Sequence, residues 1–259
     1  MKNLKNQIVF ITGASSGIGK ACAEAFAKKG ANLILAARRI DRLENLKKEL
    51  TKRYKTKILI LKLDVRNLQN VKKTINSLQD NWKNIDILLN NAGLARGLNK
   101  FYEANITHWN EMIDTNIKGL IYVTRMILPN MVNRQKGHII NIGSTAGHEV
   151  YPMGNVYCAT KFAVKALTKS IRIDTLGKNI KVTTVDPGMV LTEFSKVRFD
   201  WDEHRAQKVY EGVEPLSPKD VAEAVIFAAS RPDNVNINEI ILTSICQASS
   251  VHVYRKTQS

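Results

Sequence analysis

Short apolar runs rich in β-branched residues recur along this chain, separated by stretches with helical spacing. The runs are QIVFIT (7–12), ANLILAA (31–37), KILILKLDV (57–65), IDILLNNAG (85–93), HIINI (138–142), NIKVTTVDPG (179–188) and EIILTSI (239–245). Runs of this kind suit strands buried on both faces, as in a parallel sheet. The helical segments lie between them. One passes through Ala21, Ala25 and Phe26 and ends at Gly30; another covers 41–54; a third starts near His108, carries Asn116 and runs towards Pro129. A fourth begins near Asn155 and follows Val156, Ala159, Ala163, Ala166, Leu167 and Ser170. The last, at 217–230, opens with Ser217 as N-cap and Pro218 in the first helical position. Alternation of strand and helix throughout predicts an α/β fold, a doubly wound parallel sheet in a single domain over 1–259. The segment 191–212 is too long for a simple connection and predicts a substrate lid or wall. An irregular tail is expected after Ile245.

Composition narrows the classes. The chain has 259 residues with 44% hydrophobic content, enough for one sizeable core. It contains no apolar run of 18 residues, so no membrane span is expected, and its opening MKNLKNQIVFITG enters a strand without a leader-like segment. Cys22, Cys158 and Cys246 show neither metal-ligand nor disulfide spacing, which favours a reducing cytoplasm. The formal charge of +16 raises the possibility of nucleic acid, but the lysines are spread from Lys2 to Lys256 instead of forming one stripe. No specific nucleic-acid surface is expected; attraction for small anions is.

Two stretches carry chemistry. TGASSGIG (12–19) sits between a strand and a helix, and Gly13, Gly17 and Gly19 permit a tight turn and close backbone approach to a pyrophosphate. The second strand ends in Ala37, Arg38 and Arg39, with no carboxylate before Asp41. A dinucleotide fold puts a carboxylate near here for a ribose hydroxyl and an arginine for a 2′-phosphate, so the arginines predict NADP. Asp64, Asn91 and Gly93 fall at the carboxyl ends of later strands, where a cofactor lies.

The other stretch runs from Gly143 to Lys161. Ser144 follows a strand end, while Tyr157 and Lys161 stand four apart on one helical face. An ammonium one turn away favours the phenolate and is expected to lower the tyrosine pKa. A serine hydroxyl can hydrogen-bond the substrate oxygen with which the tyrosine exchanges a proton.

Together TGASSGIG, Asp64, NNAG (90–93), Asn116, Ser144, YCATK (157–161) and DPG (186–188) resemble the short-chain dehydrogenase/reductase family over nearly the whole chain. The 13-residue interval from Ser144 to Tyr157 is the family's. The resemblance implies a Rossmann sheet with a cofactor-binding N-terminal half and a metal-free hydride transfer. It implies Tyr157 as acid/base, Ser144 as the residue positioning the substrate oxygen, Lys161 on the nicotinamide ribose and Asn116 anchoring a relay water. Cofactor contacts are implied for Gly13, Ser15, Ser16, Gly17, Ile18, Gly19, Arg38, Arg39, Asp64, Val65, Asn91, Ala92, Gly93, Tyr157, Lys161, Pro187, Gly188, Val190 and Thr192. A homotetramer is implied, with contacts through the helices carrying Asn116 and Tyr157.

IDILLNNAGLA, MIDTNIKGLIYVTR, GHIINIGSTAG, GNVYCATK, TEFSKVRF and VNINEI are similar to one subgroup, the NADP-dependent 3-hydroxy acid dehydrogenases acting on serine and L-allo-threonine. HEVYPM (148–153) departs from that pattern. A hydroxy-acid substrate needs a partner for its carboxylate. Arg198 in TEFSKVRF is the candidate and Arg96 the fallback, because a guanidinium forks onto a carboxylate. A carbonyl reductase of bulkier ketones shares all this chemistry. A nucleotide-sensing or nucleic-acid-binding protein without turnover would not need the paired Tyr157 and Lys161.

Overall fold

A computed structural model describes residues 3–256, so the outermost residues of the expected 1–259 domain, including the end of its tail, lie outside the described residues. The strands are β1 (Ile8–Thr12), β2 (Asn32–Ala37), β3 (Ile58–Lys62), β4 (Ile87–Asn90), β5 (Gly137–Ile142), β6 (Ile180–Pro187) and β7 (Glu239–Leu242). They form one parallel sheet in the order β3-β2-β1-β4-β5-β6-β7. The chain begins in the middle, winds out to β3 and returns beside β1 as β4. The crevice between the carboxyl ends of β1 and β4 is therefore the switch point where ligands bind in such sheets.

The helices are α1 (Gly17–Lys28), α2 (Ile40–Arg53), α3 (Leu68–Asn76), α4 (Asp80–Lys83), α5 (Ile106–Ile113), α6 (Gly119–Asn133), α7 (Asn155–Asp174), α8 (Phe194–Arg198), α9 (Glu203–Lys208) and α10 (Pro218–Ala229). Period-two alternation divides the strand side chains between two layers. Val9, Ile11, Leu33 and Leu35 pack with Phe26, Leu43, Val221 and Val225 from α1, α2 and α10. Phe10, Ile34 and Leu88 face the other way, onto Val71, Val123 and Ile127 from α3 and α6. Both faces of the sheet are thus dry, which is why the strands read as unbroken apolar runs.

The structure adds to the sequence expectations in three places. Residues 66–84, for which no element is expected, form α3 and α4; Leu68, Val71 and Ile75 have helical spacing, and in α3 only Val71 and Ile75 are buried. The helix through Asn116 is not regular: α5 passes through a π turn at Asp114–Lys118 before continuing as α6 beyond Pro129. The tail is a strap. Gln247 bridges Val253 in antiparallel fashion, and the Lys256 amide donates to the Gly212 carbonyl at 2.8 Å. Segment 191–212 holds α8 and α9 beneath that strap. Among the described residues, no helix is long and apolar enough to cross a membrane.

Candidate active site

The glycine turn between β1 and α1 is built for close approach. Gly13 and Gly17 have φ of +65° and +51°, left-handed values that favour glycine. A Cβ on Gly19 would run into the Gly13 carbonyl and the Asn91 amide. Asn91 braces the turn by donating from Nδ2 to the carbonyls of Thr12 and Gly13 at 2.9 and 3.1 Å. The hydroxyl of Thr12 accepts from the amides of Asn91 and Ala92, both at 3.0 Å. This locks the NNAG segment beside the turn and leaves Gly93 exposed at the crevice. Ile18 anchors the first turn of α1 in the core. The N-terminus of α1 then offers unpaired amides to an anion.

Arg39 folds over this turn, donating to Ser16 Oγ at 2.8 Å and Ser15 Oγ at 3.2 Å. Its other guanidinium nitrogen meets Glu193 at 3.0 Å, and Arg42 meets the same carboxylate at 2.7 Å. Arg38 stays exposed and acts on Asp64 from a distance. Asp64, just beyond β3, is held below the usual carboxylate range by its hydrogen bonds with Arg66, at 2.7 Å for the closest pair. Val65 next to it is buried, where a Cβ on Gly119 would press on it. Glycine cradle, helix N-terminus, two serines and an arginine form a donor set that fits an anionic dinucleotide bearing an extra phosphate.

The far wall follows β6. Pro187 ends the strand, and the Met189 amide donates to Gln247 Oε1 at 2.7 Å. Val190 pairs with Leu216, and its carbonyl accepts from the Tyr210 hydroxyl at 3.0 Å. A Cβ on Gly188 would collide with Gln247, and one on Gly17 would lie 3.2 Å from Thr192, so the 188–192 loop crosses the crevice onto the glycine turn.

Asn116, in the π turn, spans two elements. Its Oδ1 accepts from the Leu94 amide at 2.9 Å, while Nδ2 donates to the Leu94 carbonyl at 2.8 Å and to Thr160 Oγ1 at 3.0 Å. A π bulge rotates one residue out of the ordinary helical sequence of faces. Here that residue ties the segment after β4 to α7. Ser144 lies past β5 in extended backbone, and its Oγ accepts from the Ala146 amide at 3.1 Å. Tyr157 and Lys161 are both buried on α7. The Lys161 ammonium lies 5.9 Å from the Tyr157 ring centre and donates to the Ile142 carbonyl at 3.0 Å.

Electrostatics here correct the sequence expectation. Burial pushes the Tyr157 phenol up, and a charge on Tyr151 adds to that, while Arg198 and hydrogen bonding with Ser144 pull it down. Lys161 is not among the groups lowering it, because its ammonium is turned to a backbone carbonyl. Burial brings Lys161 itself down to about 8, opposed by the charge of Asp186. Asp186 is buried and pairs with His148 at 2.7 Å. At neutral pH the site therefore presents a protonated phenol beside a serine hydroxyl, an arrangement suited to giving a proton to a carbonyl oxygen.

Arg198, from α8, reaches the same place. Its guanidinium carbon lies 5.1 Å from the Tyr157 ring centre and 5.3 Å from that of Phe194, and it donates to the Tyr151 hydroxyl at 2.7 Å. Its Nε is buried without a hydrogen-bond partner among the described residues. Arg96, by contrast, is held by Glu111 at 2.7 Å, Asp200 at 2.6 Å and the Val197 carbonyl at 2.9 Å. Its donors fasten segment 191–212 to α5. Arg198, Tyr157 and Ser144 share a cavity of about 590 Å³ with Tyr151, Phe194 and the strap residues Gln247 and Val253.

Sequence reasoning brought these groups together but missed Arg42, Glu193, Tyr151, Thr160 and the strap. Arg42 stands one helical turn after Arg39, a spacing that signals a shared face. Tyr151 falls in HEVYPM, the stretch that departs from the subgroup. Glu193 and Gln247 carry no local signal.

The chain is similar to known proteins over most of its length. The pattern described as short chain dehydrogenase matches residues 7–203. The NADP-dependent 3-hydroxy acid dehydrogenase of Schizosaccharomyces pombe is 45% identical over 257 residues, covering 99% of each chain. A protein of the same name from Escherichia coli is 44% identical over 251 residues, covering 96% of this chain and 100% of its own. The closed form of serine dehydrogenase complexed with NADP+ superimposes with a TM-score of 0.90 at 44% identity, across 96% of this chain and 100% of that one. With the glycine turn, the serine and the Tyr-Lys pair converging at the sheet's switch point, the chain belongs to the short-chain dehydrogenase family.

Proposed function

We propose that this protein is an oxidoreductase moving a hydride between NADP(H) and a small 3-hydroxy acid such as serine or L-allo-threonine. The observation that carries the substrate class is Arg198, whose guanidinium lines the cavity of Ser144 and Tyr157, 5.1 Å from the Tyr157 ring centre, with the neutral Tyr151 hydroxyl and no carboxylate as its hydrogen-bond partner among the described residues. An unpaired charge in such a place is costly, and a substrate carboxylate supplies the missing acceptor. The cofactor reading is supported by Arg39 over Ser15 and Ser16 and by the names of the relatives.

When bound, the nicotinamide gives or takes the hydride. The chain's residues handle the proton and the geometry. Tyr157 donates from its hydroxyl to the carbonyl oxygen in reduction and accepts the proton back in oxidation. Ser144 hydrogen-bonds that oxygen. Lys161 would hold the ribose of the bound cofactor, as the resemblance implies, and Asn116 would brace the relay that it implies. Segment 191–212 is the lid, with Phe194 and Arg198 closing over the substrate and excluding water.

The cavity of about 590 Å³ supports a second reading, reduction of bulkier ketones by the same residues. Following NADPH across matched panels of 3-hydroxy acids, uncharged alcohols and ketones separates the two. Preference for the acids supports the first reading; preference for bulky uncharged substrates replaces it with the second.

The homotetramer belongs to this proposal. Support comes from exposed apolar side chains on α6 and α7 (Ile121, Phe162, Ile173) and on α10 and β7 (Phe227, Ile241). Cytoplasmic placement is supported by three free thiols.

A further inference from the structure

Glu193 occupies a place that the proposed chemistry does not explain. It is the last residue before α8, and its carboxylate is shared by two guanidiniums, Arg39 at 3.0 Å and Arg42 at 2.7 Å. Those arginines lie on the opposite side of the cofactor crevice, at the end of β2 and in the first turn of α2. Thr192 meanwhile packs towards Gly17. The ion pairs therefore bolt the start of the lid across the crevice. The same Arg39 donates to Ser15 and Ser16, which the NADP reading would place beside the 2′-phosphate. One carboxylate thus already neutralises the cations that the phosphate requires. A phosphate monoester brings nearly two negative charges and three acceptor oxygens, so it competes for the guanidiniums and repels the carboxylate beside them.

We propose that Glu193 is a latch that the 2′-phosphate of NADP must displace, making it a determinant of cofactor choice and a coupling between cofactor and lid. This rests on the NADP reading above. NAD, carrying a hydroxyl, leaves the Glu193 ion pairs in place. NADP takes Arg39 and loosens the residue at the head of α8, leaving Glu193 with Arg42 alone. Two residues of that short helix, Phe194 and Arg198, lie against the Tyr157 ring, at 5.6 Å and 5.1 Å. Release of the latch at one end of the crevice therefore reaches the substrate side at the other. About a third of each paired side chain is exposed, so the pairs are weak enough to be exchanged.

The test is a fluorescence titration of wild type and Glu193→Gln with NADP+ and with NAD+. Glutamine keeps the shape and removes the charge. The latch predicts that NADP+ binds the variant roughly three- to tenfold more tightly than wild type, with NAD+ affinity changed less than twofold. It also predicts that raising the salt concentration narrows the difference between the two proteins, because the exposed pairs are screened. Unchanged or weaker NADP+ binding by the variant overturns the latch and leaves the cofactor reading intact, as does an equal gain for both cofactors. Failure of wild type to bind NADP+ overturns both.

Discussion

The guanidinium of Arg198 lies 5.1 Å from the ring centre of Tyr157, at the same time donating to the Tyr151 hydroxyl at 2.7 Å. A cation so placed does two things. It stabilises negative charge on the phenol, and it offers its remaining donors to an anion in the cavity.

Replacing Arg198 by methionine removes both effects while keeping an apolar side chain against Phe194. A lost charge-assisted carboxylate contact costs about 1.5–3 kcal/mol, roughly tenfold to hundredfold in KM for a hydroxy acid. KM for uncharged alcohols is expected to stay near its wild-type value. Steady-state kinetics on a matched acid and alcohol check this; equal losses on both remove Arg198 from the carboxylate site.

Tyr157→Phe is expected to abolish turnover and leave NADP+ affinity within a few fold. The phenol oxygen is required only for the proton, and the ring still packs edge-on against Phe194, 5.6 Å away. Activity assays paired with cofactor titration test it, and near-normal turnover would reject the assignment.

The pH profile follows from Lys161. Burial brings its ammonium down to about 8, so the positive charge is present below that pH and lost as pH rises through it. Carbonyl reduction is therefore expected to fall on the alkaline side of pH 8 or so, as the cation beside the cofactor crevice is lost. Asp186 opposes the burial of Lys161, so Asp186→Asn moves the falling limb to lower pH. A limb that stays in place in Asp186→Asn would show that this carboxylate does not hold the lysine charge.

Cofactor choice is expected to depend on Arg39 more than on its neighbour. Arg39 reaches Ser15 and Ser16, whereas Arg38 points into solvent near Asp64. Arg39→Leu should weaken NADP+ roughly tenfold to hundredfold and spare NAD+. Isothermal titration with both nucleotides decides the matter, and an equal loss for both would assign Arg39 to the turn alone.

What could be read from the chain was local. Strands buried on both faces advertise themselves as unbroken apolar runs, and the glycine turn and Tyr157–Lys161 spacing are fixed by the backbone geometry of single elements. The tyrosine's electrostatics were not legible, because they depend on burial and on Arg198, 41 positions further along. The π turn at Asn116 was hidden as well: nothing in MIDTNIKG distinguishes it from a regular helix, and the bonds that hold its side chain go to Leu94 and Thr160. The strap has no periodic pattern, and its role arises only where Gln247 meets the loop after Gly188.

The central claim is that this site oxidises a small hydroxy acid with NADP+ and recognises its carboxylate. The most direct measurement compares kcat/KM for L-allo-threonine and for its methyl ester, following NADPH with the wild-type protein. The ester keeps the reacting hydroxyl and removes only the negative charge. A preference for the acid of roughly tenfold or more is predicted, from the cost of one lost charge-assisted contact. Equal or faster turnover of the ester, or no NADPH from either, would contradict it.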